Sequence, residues 1–314
     1  MAKGLIPVTE LGAGTPRRPL AEERRRWYAE RLEEGCILLF EPTPFPLPDA
    51  SARAALVNVR QASSAYHKNI SYRPEEDRVK GLAQDSKNVE TLRRALRAYS
   101  EHATRLVAEL FPWYASRWKL DFASFRPVEE RGRQLSLRAR NDLLHVDAFP
   151  TRPTNGSRIL RVFTNVNTGE PRRWITTETF ETLAPRFAMD AGLARVAARA
   201  RSRWSRVRRR LGVWARLLRI THEERSPYDR FMLGFHHYLK ANTAFQTSCP
   251  KSRWEFPPES TWIVLTDMVP HAVESGQFAL EQTFIVPCEA LVRPDLAPLS
   301  VLERLCGVPL TRPR

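Results

Sequence analysis

The chain has little cysteine: Cys36, Cys249, Cys288 and Cys306 are its four, and no two form a CxxC pair. That excludes a zinc ribbon and a secreted disulfide framework, and the expectation is a reducing compartment. Nothing approaches the roughly 18 continuous apolar residues of a membrane span, and the opening "MAKGLIPVTELGAGTPRRP" carries no signal-like apolar stretch. Internal repeats, low-complexity arrays and a clear linker are also missing, so residues 1–314 are expected to form a single cytoplasmic domain. Acidic residues are absent between Asp190 and Glu223.

What is present points to an anionic partner. With 42% hydrophobic residues there is enough for a substantial core, and a formal charge of +15 favours nucleic acid, phosphorylated lipid or an acidic sugar. The acid-free region holds Arg195, Arg199, Arg201, Arg203, Arg206, Arg208, Arg209, Arg210, Arg216 and Arg219. Val196, Ala200, Trp204, Val207, Leu211, Trp214 and Leu218 recur among them at three or four. Residues 190–225 therefore read as a cationic amphipathic helical insert. Its stripe either lies in a membrane interface or packs on its own core.

Periodicity sets the rest. Residues 1–123 look mostly helical: "AEERRRWYAERLEEG" is an amphipathic helix ending at Gly35, "CILLF" a short strand, and "EPTPFPLPD" a loop. From Asn88, a candidate N-cap, apolar residues from Val89 to Leu110 mark a long helix. Alternation in "QLSLRAR" and "RILRVFTNVN" predicts strands, "RRWITTETFETLAPRFA" a strand entering a helix, and "SPYDRFMLGFHHYLKAN" a helix. "TWIVLTDMVPHAV" and "QFALEQTFIV" predict two more strands. The coarse architecture is α+β: an all-β core with N-terminal helices and the basic insert.

At the centre of "LLHVDAFP" stands His145-x-Asp147. Residues two apart on an extended segment point the same way, so both can ligate one ion, as in the two-histidine, one-carboxylate triad of non-haem Fe(II) oxygenases. The motif alone is weak, since seven histidines and 35 acidic residues give about 0.8 such pairs by chance. A distal ligand is needed, and His271, between two apolar strands, is the best candidate; His236 and His237 sit in a helical pattern. An arginine inside an apolar strand is costly unless it meets an anion, which singles out Arg161 for the far carboxylate of 2-oxoglutarate or for a structural carboxylate such as Glu281 or Asp267. Arg138 and Arg140 are further candidates. Lys68, Tyr72 and Arg73 in "HKNISYR", and His236, Lys240 and Asn242 in "FHHYLKAN", are candidate substrate contacts.

The segments "NDLLHVDAFPTRPTNGSRILRVFTNVN", "YDRFMLGFHHYLKANTAFQ", "WIVLTDMVPHAVESGQFALEQTFIVP" and "AYHKNISYRPEEDRVKG" together resemble the Kdo hydroxylase family, bacterial Fe(II)- and 2-oxoglutarate-dependent dioxygenases that modify lipopolysaccharide. The resemblance implies a double-stranded β-helix (jelly-roll, cupin-like) core and metal ligands at His145, Asp147 and His271. It implies O2 and 2-oxoglutarate as cosubstrates, and hydroxylation at carbon 3 of 3-deoxy-D-manno-octulosonic acid (Kdo) on Kdo-lipid A to give D-glycero-D-talo-octulosonic acid. Many relatives hold 2-oxoglutarate through an arginine ten to fifteen residues beyond the distal histidine. Here that range offers Gln282, and Arg161 is favoured instead. Such a substrate suits an anionic membrane surface met through residues 195–219 at the cytoplasmic face of the inner membrane, with no nucleic acid expected. An oxygenase acting on nucleic acid or protein, and a non-catalytic basic binding protein, are the competing readings.

Overall fold

The computed structural model describes residues 4–11, 20–59, 61, 69–83, 88–202 and 225–311. In chain order its strands are β1 (Leu5–Pro7), β2 (Ile37–Phe40), β3 (Ile70–Arg73), β4 (Arg78–Lys80), β5 (Lys119–Arg126), β6 (Arg158–Asn165), β7 (Arg172–Thr176), β8 (Ser252–Phe256), β9 (Thr261–Leu265), β10 (His271–Ser275) and β11 (Ala279–Val286). A large sheet runs β1-β2-β9-β6-β11-β5-β3-β4, and a small one runs β10-β7-β8.

Register decides which side chains share a face. In β6, Arg161 lies opposite Thr283 of β11 and Val264 of β9, while Val162 lies opposite Gln282. Because side chains alternate along a strand, Arg161, Phe163, Glu281 and Thr283 share one face, and Leu160, Val162 and Gln282 the other. The second face is closed by the helix Val89–Leu110, whose Leu92, Leu96, Tyr99 and Leu106 are buried. Tyr99 of this helix donates its hydroxyl proton to Val162 O at 3.0 Å. The first face meets the small sheet. There Trp174 packs edge-on against Phe163 at 4.9 Å and Trp262 at 5.6 Å between ring centres. Burying a side chain of Phe size contributes roughly 1.5–3 kcal/mol, so these rings clamp the two sheets together.

The helix Glu22–Glu33 forms as the sequence predicts and stops before Gly35, whose φ of +95° favours glycine. A Cβ there would also stand 2.7 Å from Thr179 Cγ2. Asn88 does precede the long helix, but at φ +62° and with no side-chain capping bond. The expected strand in "QLSLRAR" is absent: residues 134–140 are loop and turn. Alternation needs a partner ladder, and here Lys240 Nζ takes the Arg138 carbonyl at 3.2 Å while β5 pairs with β11. Strands β1 to β4 and most of β5 lie within residues 1–123, so that part supplies sheet as well as helices.

Of the basic insert, the helix Leu193–Arg201 is described; Leu193 and Ala197 are buried and Val196 packs on the core. The first turns of the apolar stripe therefore face the chain's own interior. Trp204, Val207, Leu211, Trp214 and Leu218 lie outside the described residues. Among the described residues no helix is long and apolar enough to cross a membrane.

Candidate metal centre

His145 and His271 exchange backbone hydrogen bonds, His145 N to His271 O at 3.2 Å and His271 N to His145 O at 3.0 Å, and Asp147 N donates to Thr266 O at 2.9 Å. These bonds lay the extended His-x-Asp segment along the start of β10. Alternation then sends His145 and Asp147 to one side and Val146 into the core.

The imidazole tautomers follow from their partners. Nδ1 of His145 faces Leu143 O at 2.7 Å and Nδ1 of His271 faces Val269 O at 2.9 Å. A carbonyl can only accept, so Nδ1 carries the proton and each Nε2 keeps its lone pair for a metal. His145 Nε2 stands 3.8 Å from Asp147 Oδ1, and His271 Nε2 stands 4.0 Å from Asp147 Oδ2. One ligand atom from each of the three lies within 4.8 Å of the others. Asp147 Oδ2 is buried without a hydrogen-bond partner among the described residues. Arg161 gives this oxygen an ion pair but no aligned hydrogen bond, so the oxygen and the two imidazole lone pairs stay free to hold a cation, and this donor set suits Fe(II).

Protonation states agree. Burial, reinforced by His271 and Lys240, holds His145 well below the ordinary imidazole value, and burial lowers His271 as well. For Asp147 burial works toward the neutral acid, but Arg161, His271 and His145 overcome it and hold the carboxyl below its usual range. His236, its ring 4.8 Å from that of His145, is pushed down to about 3 by burial and then by Lys240.

A pH dependence of stability follows. The unfolded chain binds protons on these histidines below about pH 6.5 while the folded one does not, so stability is whole above that pH and is lost as pH falls toward the folded values. Each histidine contributes up to about 1.4 kcal/mol per pH unit. Melting of the metal-free protein between pH 7.5 and 5.5 should show this slope, and His236→Gln should flatten it. An unchanged slope in that variant would contradict the assignment.

Beside the triad lies a floor of arginines. Arg161 Nε is 3.3 Å from Asp147 Oδ2, an ion pair without hydrogen-bond alignment, and its Nη1 is 2.8 Å from Glu281 Oε1. Arg126 Nε donates to Glu281 Oε2 at 2.8 Å. Arg172 gives Nη1 to Gly276 O at 2.8 Å, while its buried Nε and Nη2 have no partner among the described residues. Burial, and then Arg126, pull its pKa down to about 10. Sequence reasoning passed over Arg126 and Arg172, although Arg172 opens the apolar strand "RRWIT" and meets the same criterion as Arg161.

Other candidates are placed differently. Gln282 lies on the reverse face of the large sheet from Arg161 and gives its amide to the Asp121 and Thr283 carbonyls. Arg138 is exposed, and Arg140 is paired with Asp142 at 2.6 Å. Among the described residues no hydrogen bond or ion pair joins either of them to the triad. Tyr72 turns to the reverse face with Ala123 and gives its hydroxyl to Asp77 at 2.8 Å; Arg73, one residue on, turns to the metal side. Asn242 caps the helix Thr243–Ser248 by accepting from Phe245 N at 3.0 Å. His236 Nδ1 bonds Val146 O at 2.7 Å, and Lys240 is buried close enough for its charge to act on both His145 and His236. His237, the other rival, lies beside His236 on the same helix at 5.1 Å between rings. Lys68 lies outside the described residues.

Comparison with known proteins gives consistent matches. The family model for 3-deoxy-D-manno-oct-2-ulosonic acid (Kdo) hydroxylase matches residues 17–309. Among solved structures, the Kdo hydroxylase KdoO, a non-haem Fe(II) and 2-oxoglutarate-dependent dioxygenase in complex with cobalt(II), is 35% identical with a TM-score of 0.82, covering 99% of this chain and 98% of its own. The same enzyme in complex with 2-oxoglutarate and Fe(III) is 34% identical with a TM-score of 0.81, covering 98% of each chain. No curated protein matches.

Proposed function

The chain belongs to the family of Kdo hydroxylases, and from that premise we propose how its own residues serve the reaction. It is a non-haem Fe(II)- and 2-oxoglutarate-dependent dioxygenase that hydroxylates Kdo in lipopolysaccharide. The observation that carries the reading is the buried cluster of His145, Asp147 and His271, whose carboxylate oxygen Oδ2 accepts no hydrogen bond among the described residues. We read the two facing sheets as the double-stranded β-helix of such enzymes, with the triad between them, and residues 1–314 as one domain.

When bound, Fe(II) with 2-oxoglutarate and O2 supplies the oxidation of a C–H bond, with succinate and carbon dioxide as by-products. The chain's part is to hold and to exclude. His145, Asp147 and His271 grip the metal from one side, leaving the remaining positions to 2-oxoglutarate and O2. Arg161 is the anchor for the distal carboxylate of 2-oxoglutarate, with Arg126 and Arg172 supplying further positive charge and Glu281 fixing Arg161 and Arg126 in place. The packed Trp174, Phe163 and Trp262 keep bulk water from that side. His236, Lys240 and Arg73 are the candidate contacts to the sugar, whose carbon 3 is the expected position of attack on Kdo-lipid A. The arginine and tryptophan pattern of residues 195–219 supports peripheral binding to the cytoplasmic face of the inner membrane.

Anaerobic addition of Fe(II) and 2-oxoglutarate should produce a visible charge-transfer band, and lipopolysaccharide made in its presence should gain one oxygen on a Kdo. A folded protein that stays colourless would refute the reading. Arg161→Gln should raise the KM for 2-oxoglutarate by about 10–100-fold, the loss of a charged hydrogen bond, while the Co(II) spectrum persists. An unchanged KM would move the anchor elsewhere.

A further inference from the structure

A row of alternating cations and rings leads outward from the metal centre. The Arg161 guanidinium lies 5.6 Å from the Phe149 ring, Arg152 lies 4.4 Å from that same ring and 4.2 Å from Phe122, and Arg73 lies 4.7 Å from Phe122. Arg161, Phe122 and Arg73 occupy the metal-side face of the large sheet, and Phe149 and Arg152 follow directly on the His-x-Asp segment. Phe122, Phe149 and Arg152 lie outside the set of residues assigned above to the metal and to 2-oxoglutarate.

Arg152 is the prepared member of the row. Two rings, Phe122 and Phe149, pack against its guanidinium, and Asp121 accepts from Nη1. Among the described residues Nε and Nη2 make no hydrogen bond, and the side chain is 36% exposed. Burial and the like charge of Arg161 act against its proton, and Asp121 offsets them only in part. Arg225 adds a second cation to this loop through the Pro150 carbonyl. A planar cation packed against aromatic rings keeps its donors at the edge, the geometry that grips a carboxylate or phosphate through two oxygens.

We propose that Arg152, packed against Phe122 and Phe149, is a specificity-determining residue that binds an anionic group flanking the sugar to be hydroxylated. This rests on the Kdo-lipid reading of the site. The anion is a carboxylate of a neighbouring sugar acid or a phosphate of the lipid; both offer two oxygens to the free edge of the guanidinium. The competing role for Arg152 is a brace that ties the loop to Asp121.

Steady-state kinetics of the full chain separates the two. Arg152→Gln should raise the KM for a Kdo-bearing lipid acceptor by about 10–100-fold, as for a lost charged hydrogen bond, with kcat and the KM for 2-oxoglutarate unchanged within about twofold. Asp121→Asn leaves Arg152 in place and should not raise the acceptor KM. If both substitutions raise it alike, Arg152 is a brace and the proposal fails; it fails equally if only the KM for 2-oxoglutarate moves. Arg152→Lys, which keeps charge but loses the plane, should fall between, and it replaces the glutamine variant should that one melt early. Acceptors lacking the lipid phosphates, or bearing one Kdo rather than two, name the anion as the arm in which the Arg152→Gln penalty disappears. A penalty identical on every acceptor would overturn the inference. Lack of turnover by the unsubstituted protein on all of them would remove the functional reading itself, and the inference with it.

Discussion

Replacing His271 with alanine should leave a folded protein that no longer collects Fe(II), with turnover reduced by on the order of 10³-fold or more, since the bound metal accounts for several kcal/mol of the barrier. The backbone bonds that join His145 to His271 do not involve the imidazole, so the segment carrying the triad stays in register. The side chain leaves behind a stacking partner, Trp174 at 5.1 Å, and Asp147 keeps its ion pair with Arg161. What is lost is one of three ligand atoms. The measurement is metal-dependent melting: a ligand at 100 times its Kd stabilises the native state by about 2.7 kcal/mol, and that increment should vanish in the variant. A variant that still melts later with Co(II), and still turns over, would exclude His271 as a ligand.

Arg158→Met should be strongly destabilising. Arg158 and Asp267 are fully buried and joined at 2.8 Å between Nε and Oδ2, on the reverse side of β6 from Arg161. Removing one partner of a buried ion pair leaves the other unpaired, which costs about 3–5 kcal/mol. At about 2.1 cal/mol/K of unfolding entropy per residue, a chain of 314 residues loses about 1.5 °C per kcal/mol, so the melting temperature should fall by roughly 5–8 °C. The combined Arg158→Met, Asp267→Leu protein should recover most of that loss, because replacing both partners by apolar groups is often neutral. Asp267 lies in the turn whose Thr266 and Val269 carbonyls hold Asp147 N and His271 Nδ1, so Arg158→Met should weaken metal binding as well. Equal instability of single and double variants would show that the pair is not the cause.

The triad was legible because its signals are local. His145 and Asp147 are two apart on an extended segment, and His271 heads an apolar strand. Arg161 was legible because an arginine in such a strand needs an anion. The misplacements share one origin. Alternation tells which residues share a face, but two phases of a strand look alike until a partner strand sets them. Gln282 was weighed for the anchor although Glu281, next to it, is the residue that meets Arg161. Tyr72 was set beside Arg73 although they point to opposite faces. "QLSLRAR" alternates with no ladder to receive it. Asn242 carries an amide that suits a ligand and equally suits a helix cap, and the cap is its role here.

By itself the sequence determined the donor types, the α and β mixture and the surplus of positive charge, since each depends on residue identity and short-range period. Tertiary structure alone decided that His145 and His271 bond across the long interval between them, which phase of each strand faces the metal, and that Arg126, Arg152, Arg161 and Arg172 gather on one side. Those outcomes follow from pairing register and packing between distant segments, which no local pattern encodes.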